Sequence, residues 1–231
     1  MALSLTDMSL EERFASLDDE KARFVSKVYS GLTLSLIVSS VCCALAIPWF
    51  KSMGPQMYGA WMVLSVIELV LVIAASFMRL SGPIGWAVLM AFVACSGATL
   101  APVILYYKQI GGEGTIAAAL GLTAGIFLTL TAYVRYSGKD FSYLGGFLWM
   151  ATIGLVITGF ALMFFPSVNV SYWRACIGAL IFCGWILFDT SAVTRQYYRD
   201  SNVVGAIMRL YLDIINLFMF LLQILGDRRR N

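Results

Sequence analysis

The sequence predicts an all-α integral membrane protein of seven helices, and three observations carry that prediction. Of its 231 residues 60% are hydrophobic and only 13% are charged, whereas soluble domains run nearer about 45–50% apolar and about 25% charged. Long apolar stretches recur at 28–50, 58–78, 84–107, 115–134, 141–165, 172–190 and 203–225, each close to the ~20 residues that a helix needs to cross a hydrocarbon core. The breaks between them are short and carry prolines, glycines and charges, which leaves no room for a second folded domain.

Residues 1–27 hold Asp7, Glu11, Glu12, Asp18, Asp19 and Glu20 together with four basic residues. A cleaved signal peptide has a short basic front and a small-residue cleavage site, so this stretch is expected to be a retained cytoplasmic tail. The first segment, 28–50, ends at Pro48 and Lys51. The second, 58–78, carries Glu68 in its middle and ends in the Arg79–Pro83 break. Ser65, Glu68, Ser76 and Arg79 fall along one helical stripe, expected to face protein. Glu68 and Arg79 are too far apart to pair in a straight helix, about 16 Å at 1.5 Å per residue, so each needs a partner elsewhere.

The third segment, 84–107, gives way at Lys108–Gly114. The fourth, 115–134, contains Gly121-Leu-Thr-Ala-Gly125, a GxxxG spacing expected to let a neighbouring helix approach closely. Arg135–Lys139 separates it from the fifth, 141–165, which Pro166 ends. The sixth, 172–190, carries Asp189, and the Tyr198–Asn202 turn leads to the seventh, 203–225. There Arg209, Asp213, Asn216 and Gln223 line one face of an otherwise apolar helix. Residues 28–226 thus make the transmembrane domain, and 227–231 a basic C-terminal tail.

Positive loop residues mark the cytoplasmic side. Arg79, Arg135, Lys139, Arg195 and Arg199 fall on the side of the N-terminal tail, and Lys51, Lys108 and Arg174 fall opposite, so the N-terminus is expected to be cytoplasmic. A full seventh span would put Arg228, Arg229 and Arg230 outside, against the same rule. Either that span breaks the rule or the last helix enters the bundle without crossing it. A bacterial plasma membrane fits the short loops.

Composition also excludes chemistry. The net charge of +3 and the lack of a basic, aromatic-interleaved stretch argue against a nucleic-acid partner. The chain has no histidine, so Ser-His-Asp and Cys-His nucleophiles and imidazole zinc sites are unavailable. Every lysine lies in the tail, the loops or the span ends, which excludes a Schiff-base receptor. Five cysteines, all inside apolar segments and without CxxC spacing, read as small packing residues.

An ionised carboxylate in mid-membrane costs on the order of 2.5–3.5 kcal/mol on insertion scales, so Glu68, Asp189 and Asp213 are the candidate functional residues. Both aspartates lie twelve residues from Ser201, on opposite sides of the last turn. In an antiparallel hairpin they reach the same depth, roughly 18 Å from the turn. Two carboxylates at one level can share a proton, a pH-sensitive latch built without histidine. The plainer readings are that Arg209 neutralises Asp213 at i,i+4, that Glu68 is a satisfied interior carboxyl, and that Arg79 snorkels to the interface.

Phe-Asp-Thr at 188–190 and Leu-Tyr-Leu-Asp-Ile-Ile-Asn-Leu-Phe at 210–218 resemble motifs of the Bax inhibitor-1 family (transmembrane Bax inhibitor motif proteins), particularly its bacterial members. Ile-Glu-Leu at 67–69, Arg79 and Ser-Gly-Ala-Thr-Leu-Ala-Pro at 96–102 extend the resemblance over about 28–226. It implies six helices around a central, polar-striped seventh. It further implies a pH-sensitive calcium leak gated by the pair Asp189 and Asp213, with Arg79 as the latch and Glu68 on the ion pathway. Calcium takes oxygen ligands, and Glu68, Asp189, Asp213 and Asn216 are the donors within the spans. So short a list suits a weakly bound, transported ion, and no other cofactor is expected. A non-conducting regulator that binds other membrane proteins is the alternative. An intramembrane aspartyl protease fits less well, because Leu210-Tyr211-Leu212 stands where such enzymes resemble one another in Gly-x-Gly before the second aspartate; no enzymatic activity is expected.

Overall fold

Helix α1 runs from Leu10 to Met53 in the computed structural model, which describes residues 10–77, 82–195 and 202–230. It therefore starts well before the apolar run, because Glu, Arg, Ala, Lys and Leu in 10–27 are strong helix formers whatever their hydropathy. Asp19 and Arg23 pair at i,i+4, at 3.6 Å and well exposed, a contact worth only about 0.3–0.5 kcal/mol. Phe24 and Val28 are buried in the main core, so the expected tail joins the bundle before residue 28.

Six further α-helices follow among the described residues: α2 Met57–Phe77, α3 Gly82–Gly111, α4 Glu113–Ser137, α5 Gly145–Phe164, α6 Val168–Arg195 and α7 Val203–Arg230. Among the described residues there is no strand. Six of the seven are long and apolar enough to cross a membrane, and α2 contributes a shorter apolar stretch, Met57–Ile73. Helix α7 continues through Asp227, so residues 227–230 extend the last helix. Arg79 and most of the turn between α6 and α7 lie outside the described residues.

Helix α7 packs directly on α1, α3, α4 and α6, while α2 is held mainly by α3 and α5 by α6. Its buried side chains Ile207, Leu210 and Tyr211 meet Leu32, Leu89, Phe92 and Val193 in the largest core cluster. The outward faces carry bulky apolar groups, among them Met62 and Val66 on α2 and Phe147, Trp149, Ile153 and Phe160 on α5. A soluble monomer does not expose apolar area on this scale; here it faces lipid.

Close helix approach occurs at glycines other than the predicted ones. A Cβ on Gly97 of α3 would collide with the backbone carbonyl of Ser39 on α1, so that crossing depends on the missing side chain. Gly178 similarly faces the Phe220 ring, and Gly184 faces Leu148. At Gly121 and Gly125 nothing lies within 4 Å of a Cβ, which corrects the GxxxG expectation: within the described residues that face of α4 meets no neighbour. Spacing shows that two small residues share a face, and the fold decides whether anything packs on it.

The link from α4 to α5 is fixed locally. Gly138 caps α4 in the left-handed region at φ 58°, with its N–H donating to the Val134 carbonyl, a conformation that favours glycine. The Ser142 N–H then donates to Asp140 Oδ1 at 2.9 Å. That bond, helped by Arg195, holds the Asp140 carboxyl below the usual carboxylate range. A folded-state value below the unfolded one, about 3.9, stabilises the fold above that pH, and the gain is lost as pH falls through the lowered value. Asp140→Ala should therefore remove a small, acid-sensitive part of the stability, seen as a shallower loss of Tm between about pH 5 and 2. An unchanged acid slope would count against this role.

Candidate functional site

Asp189 and Asp213 face each other across the contact between α6 and α7. Helix α6 buries the consecutive residues Asp189, Thr190, Ser191, Ala192 and Val193, and α7 packs closely along α6. The two aspartates are 3% and 5% exposed, and their side chains stand within hydrogen-bonding range of one another. Arg209 Nη1 lies 4.0 Å from Asp189 Oδ1, with the arginine side chain about half exposed. Its position on α7 is one turn before Asp213, yet the ion pair it makes reaches across to the other helix.

Among the described residues this arrangement is short of positive charge and of donors. One guanidinium stands against two carboxylates, and Asp189 Oδ1 and Asp213 Oδ2 are buried with no hydrogen-bond partner among the described residues. Thr190 Oγ1, on the next residue, is likewise buried and unbonded. Tyr29 of α1 approaches Thr190, with Arg135 of α4 acting on the same phenol. Buried carboxylate oxygens left without donors are costly. A proton held between the two carboxyls, or a cation beside them, relieves that cost.

Glu68 belongs to a second cluster. The Thr99 hydroxyl donates to Glu68 Oε2 at 2.7 Å, and Trp61 Nε1 donates to the Thr99 carbonyl at 3.1 Å, so α2 is pinned to α3 around this carboxylate. Next to it the Tyr211 hydroxyl donates to Ser39 Oγ at 2.7 Å and also approaches Ser96. The Tyr211 ring is fully buried and meets Phe92 edge to face at 5.7 Å. Hydroxyls from α1, α3 and α7 thus gather beside Glu68.

The Thr99 hydroxyl is the part of this cluster open to the simplest test. Thr99→Val keeps the shape and removes the donor, leaving Glu68 to find another partner. The expected cost is on the order of 1 kcal/mol of stability, read as a lower Tm of the purified protein in detergent. No change in Tm would show that the bond does not hold α2 in place.

Of the residues named from sequence, the structure joins Asp189, Asp213 and Arg209, and it places Glu68 separately. Asn216 is half-buried, and its amide donates to the Leu212 carbonyl of its own helix at 2.8 Å. Arg79 lies outside the described residues. No group of three or more Cys, Asp or Glu able to hold a metal ion occurs among the described residues, so Glu68, Asp189 and Asp213 do not form one ligand set.

Sequence reading missed Tyr211, Ser39 and Thr99. Ser96 and Thr99, spaced i,i+3 on α3, carried a signal for one polar face, but nothing in their spacing says that Glu68 and Tyr211 meet it. At the far end of the bundle Gln223, on the polar stripe of α7, donates to Ser171 Oγ at 2.6 Å, and Arg174 lies over the Phe220 ring at 5.5 Å.

Residues 21–230 match the family model described as inhibitor of apoptosis-promoting Bax1. The chain is 36% identical over 212 residues to Bax inhibitor 1 of Schizosaccharomyces pombe, covering 90% of this chain and 77% of that protein. It is 33% identical over 207 residues to protein lifeguard 4 of Mus musculus, covering 87% and 84%. A membrane protein of Vibrio cholerae is 30% identical over 213 residues, with 92% of each chain covered.

Proposed function

The chain belongs to the Bax inhibitor-1 family, and from that premise we propose that it is a pH-sensitive calcium leak in which Asp189 and Asp213 gate cation passage. The observation that carries the reading is the buried pair itself: two facing carboxylates and, among the described residues, one guanidinium paired at 4.0 Å and two oxygens without a donor. Such a site attracts positive charge, and protons and cations compete for it. A proton shared by the pair closes the two helices on each other, and its departure leaves like charges face to face. The pair offers calcium few ligands, as suits an ion that must leave again. Glu68, with the hydroxyls around it, forms a separate carboxylate station on the path, and Arg79 is the candidate latch. The N-terminus faces the cytoplasm, following the loop charges, and the short loops suit a bacterial plasma membrane.

Purified protein reconstituted into liposomes should release trapped calcium at a rate that depends on pH. Release indistinguishable from protein-free liposomes at every pH would overturn the reading. It would favour a non-conducting regulator, in which the same pair serves packing or pH sensing.

A further inference from the structure

Helices α1 and α4 both pack on α7, yet they are not close neighbours of one another. Between them a crevice of about 510 Å³ opens on the outer surface of the bundle. Its floor is α7, through Ile214, Ile215 and Phe218, and its walls include Ala44 on α1 and Leu120 and Ala124 on α4. Leu120 is exposed, so the crevice is continuous with the apolar exterior of α4.

Two observations say what fills it. The first is depth: Ala44, Ala124 and Ile214 lie well inside the apolar spans 28–50, 115–134 and 203–225, at a level where a bilayer offers only hydrocarbon. The second is the state of the few polar groups in the lining. Ser40 donates to the Leu36 carbonyl at 2.8 Å and Thr123 to the Ala119 carbonyl at 2.7 Å. Ser39 accepts the Tyr211 hydroxyl. A water molecule needs two to four polar partners, and these three hydroxyls are each already engaged within the protein, so the otherwise apolar lining suits an apolar occupant.

We infer that the crevice between α1 and α4 is a binding site for one acyl chain of a bilayer phospholipid, seated against Ile214, Ile215 and Phe218 of α7. The chain gains nothing from leaving water, since lipid surrounds it in either place. What it gains is close contact on three sides, which a convex helix face cannot supply. The inference stands apart from conduction, because it rests on shape, depth and polarity.

The test uses the full-length protein in liposomes containing a phosphatidylcholine with a photoactivatable diazirine in the middle of one acyl chain. Adducts mapped by mass spectrometry should concentrate on the crevice residues of α1, α4 and α7, about fivefold over exposed Ile153 and Ile157 of α5, equivalent to about 1 kcal/mol of preference. Ala124→Phe and Ala44→Leu narrow the crevice from opposite walls. Both residues are exposed to it, so the larger side chains enter open space and leave the core intact. Each variant should abolish the crevice adducts while labelling of α5 persists, which also reports that the fold is kept. Crevice labelling no stronger than that of α5, or labelling unchanged in both variants, would overturn the inference. Adducts joining two protein chains at these residues would do the same, by assigning the crevice to a second copy.

Discussion

Replacing both Asp189 and Asp213 with asparagine is expected to flatten the pH dependence of calcium release from liposomes. Asparagine keeps the side-chain volume and the carbonyl acceptor but carries no titratable proton, so the substitution removes the switch without opening a cavity. The rate should then sit near one value across the range over which the natural protein varies. Either single variant leaves one carboxylate opposite Arg209, and its profile should collapse from a coupled two-step form to a single step. Stability gives an independent readout. Removing two desolvated carboxylates, with the half-exposed Arg209 left to solvent, is expected to leave the protein about as stable or more stable. A double variant that folds, conducts and keeps the natural pH profile would show that the pair does not gate.

The second large effect is expected at Gly97. A valine there would drive its branched side chain into the Ser39 carbonyl on α1, and a helix backbone cannot swing aside as a side chain can. Overpacking typically costs about 1–3 kcal/mol, and a clash against backbone places Gly97→Val at or beyond the upper end. The damage spreads, because Ser39 also accepts the Tyr211 hydroxyl; separating α1 from α3 loosens α7 as well. Gly121→Ala and Gly125→Ala are the controls, since each methyl enters open space. They should be neutral or stabilising by up to about 1 kcal/mol each through helix propensity. Thermal unfolding in detergent separates the two sets, and equal Tm values for Gly97→Val and the natural protein would refute the argument.

The contrast between these glycines shows which parts of the molecule sequence reading reaches. Apolar length finds membrane helices because the bilayer imposes a minimum span, and the seven segments correspond to the seven helices. The same criterion is blind to the first turns of α1, whose charged residues form helix without being apolar. The depth match of Asp189 and Asp213 follows from counting residues on either side of one turn, a local relation along the chain. The bond from Thr99 to Glu68 joins residues 31 apart on separate helices, and the rotation of each helix about its axis decides it. Helix rotation also brings Arg209 into an ion pair with Asp189 across the helix contact, in addition to the Asp213 it acts on at i,i+4 spacing.

The position of α7 bears on the order in which the molecule is built. It follows the other six helices in synthesis, yet α1, α3, α4 and α6 all pack against it. Helices α1 and α3 can cross at Gly97 as soon as both have been made, whereas α6 must hold Asp189 in the membrane until Asp213 and Arg209 arrive. During that interval the nascent chain carries an acidic group within an apolar span without the partners that α7 supplies. Insertion of α6 is therefore the step at which a ribosome pause, or a delay in handing over the next hairpin arm, would most readily divert the protein to quality control.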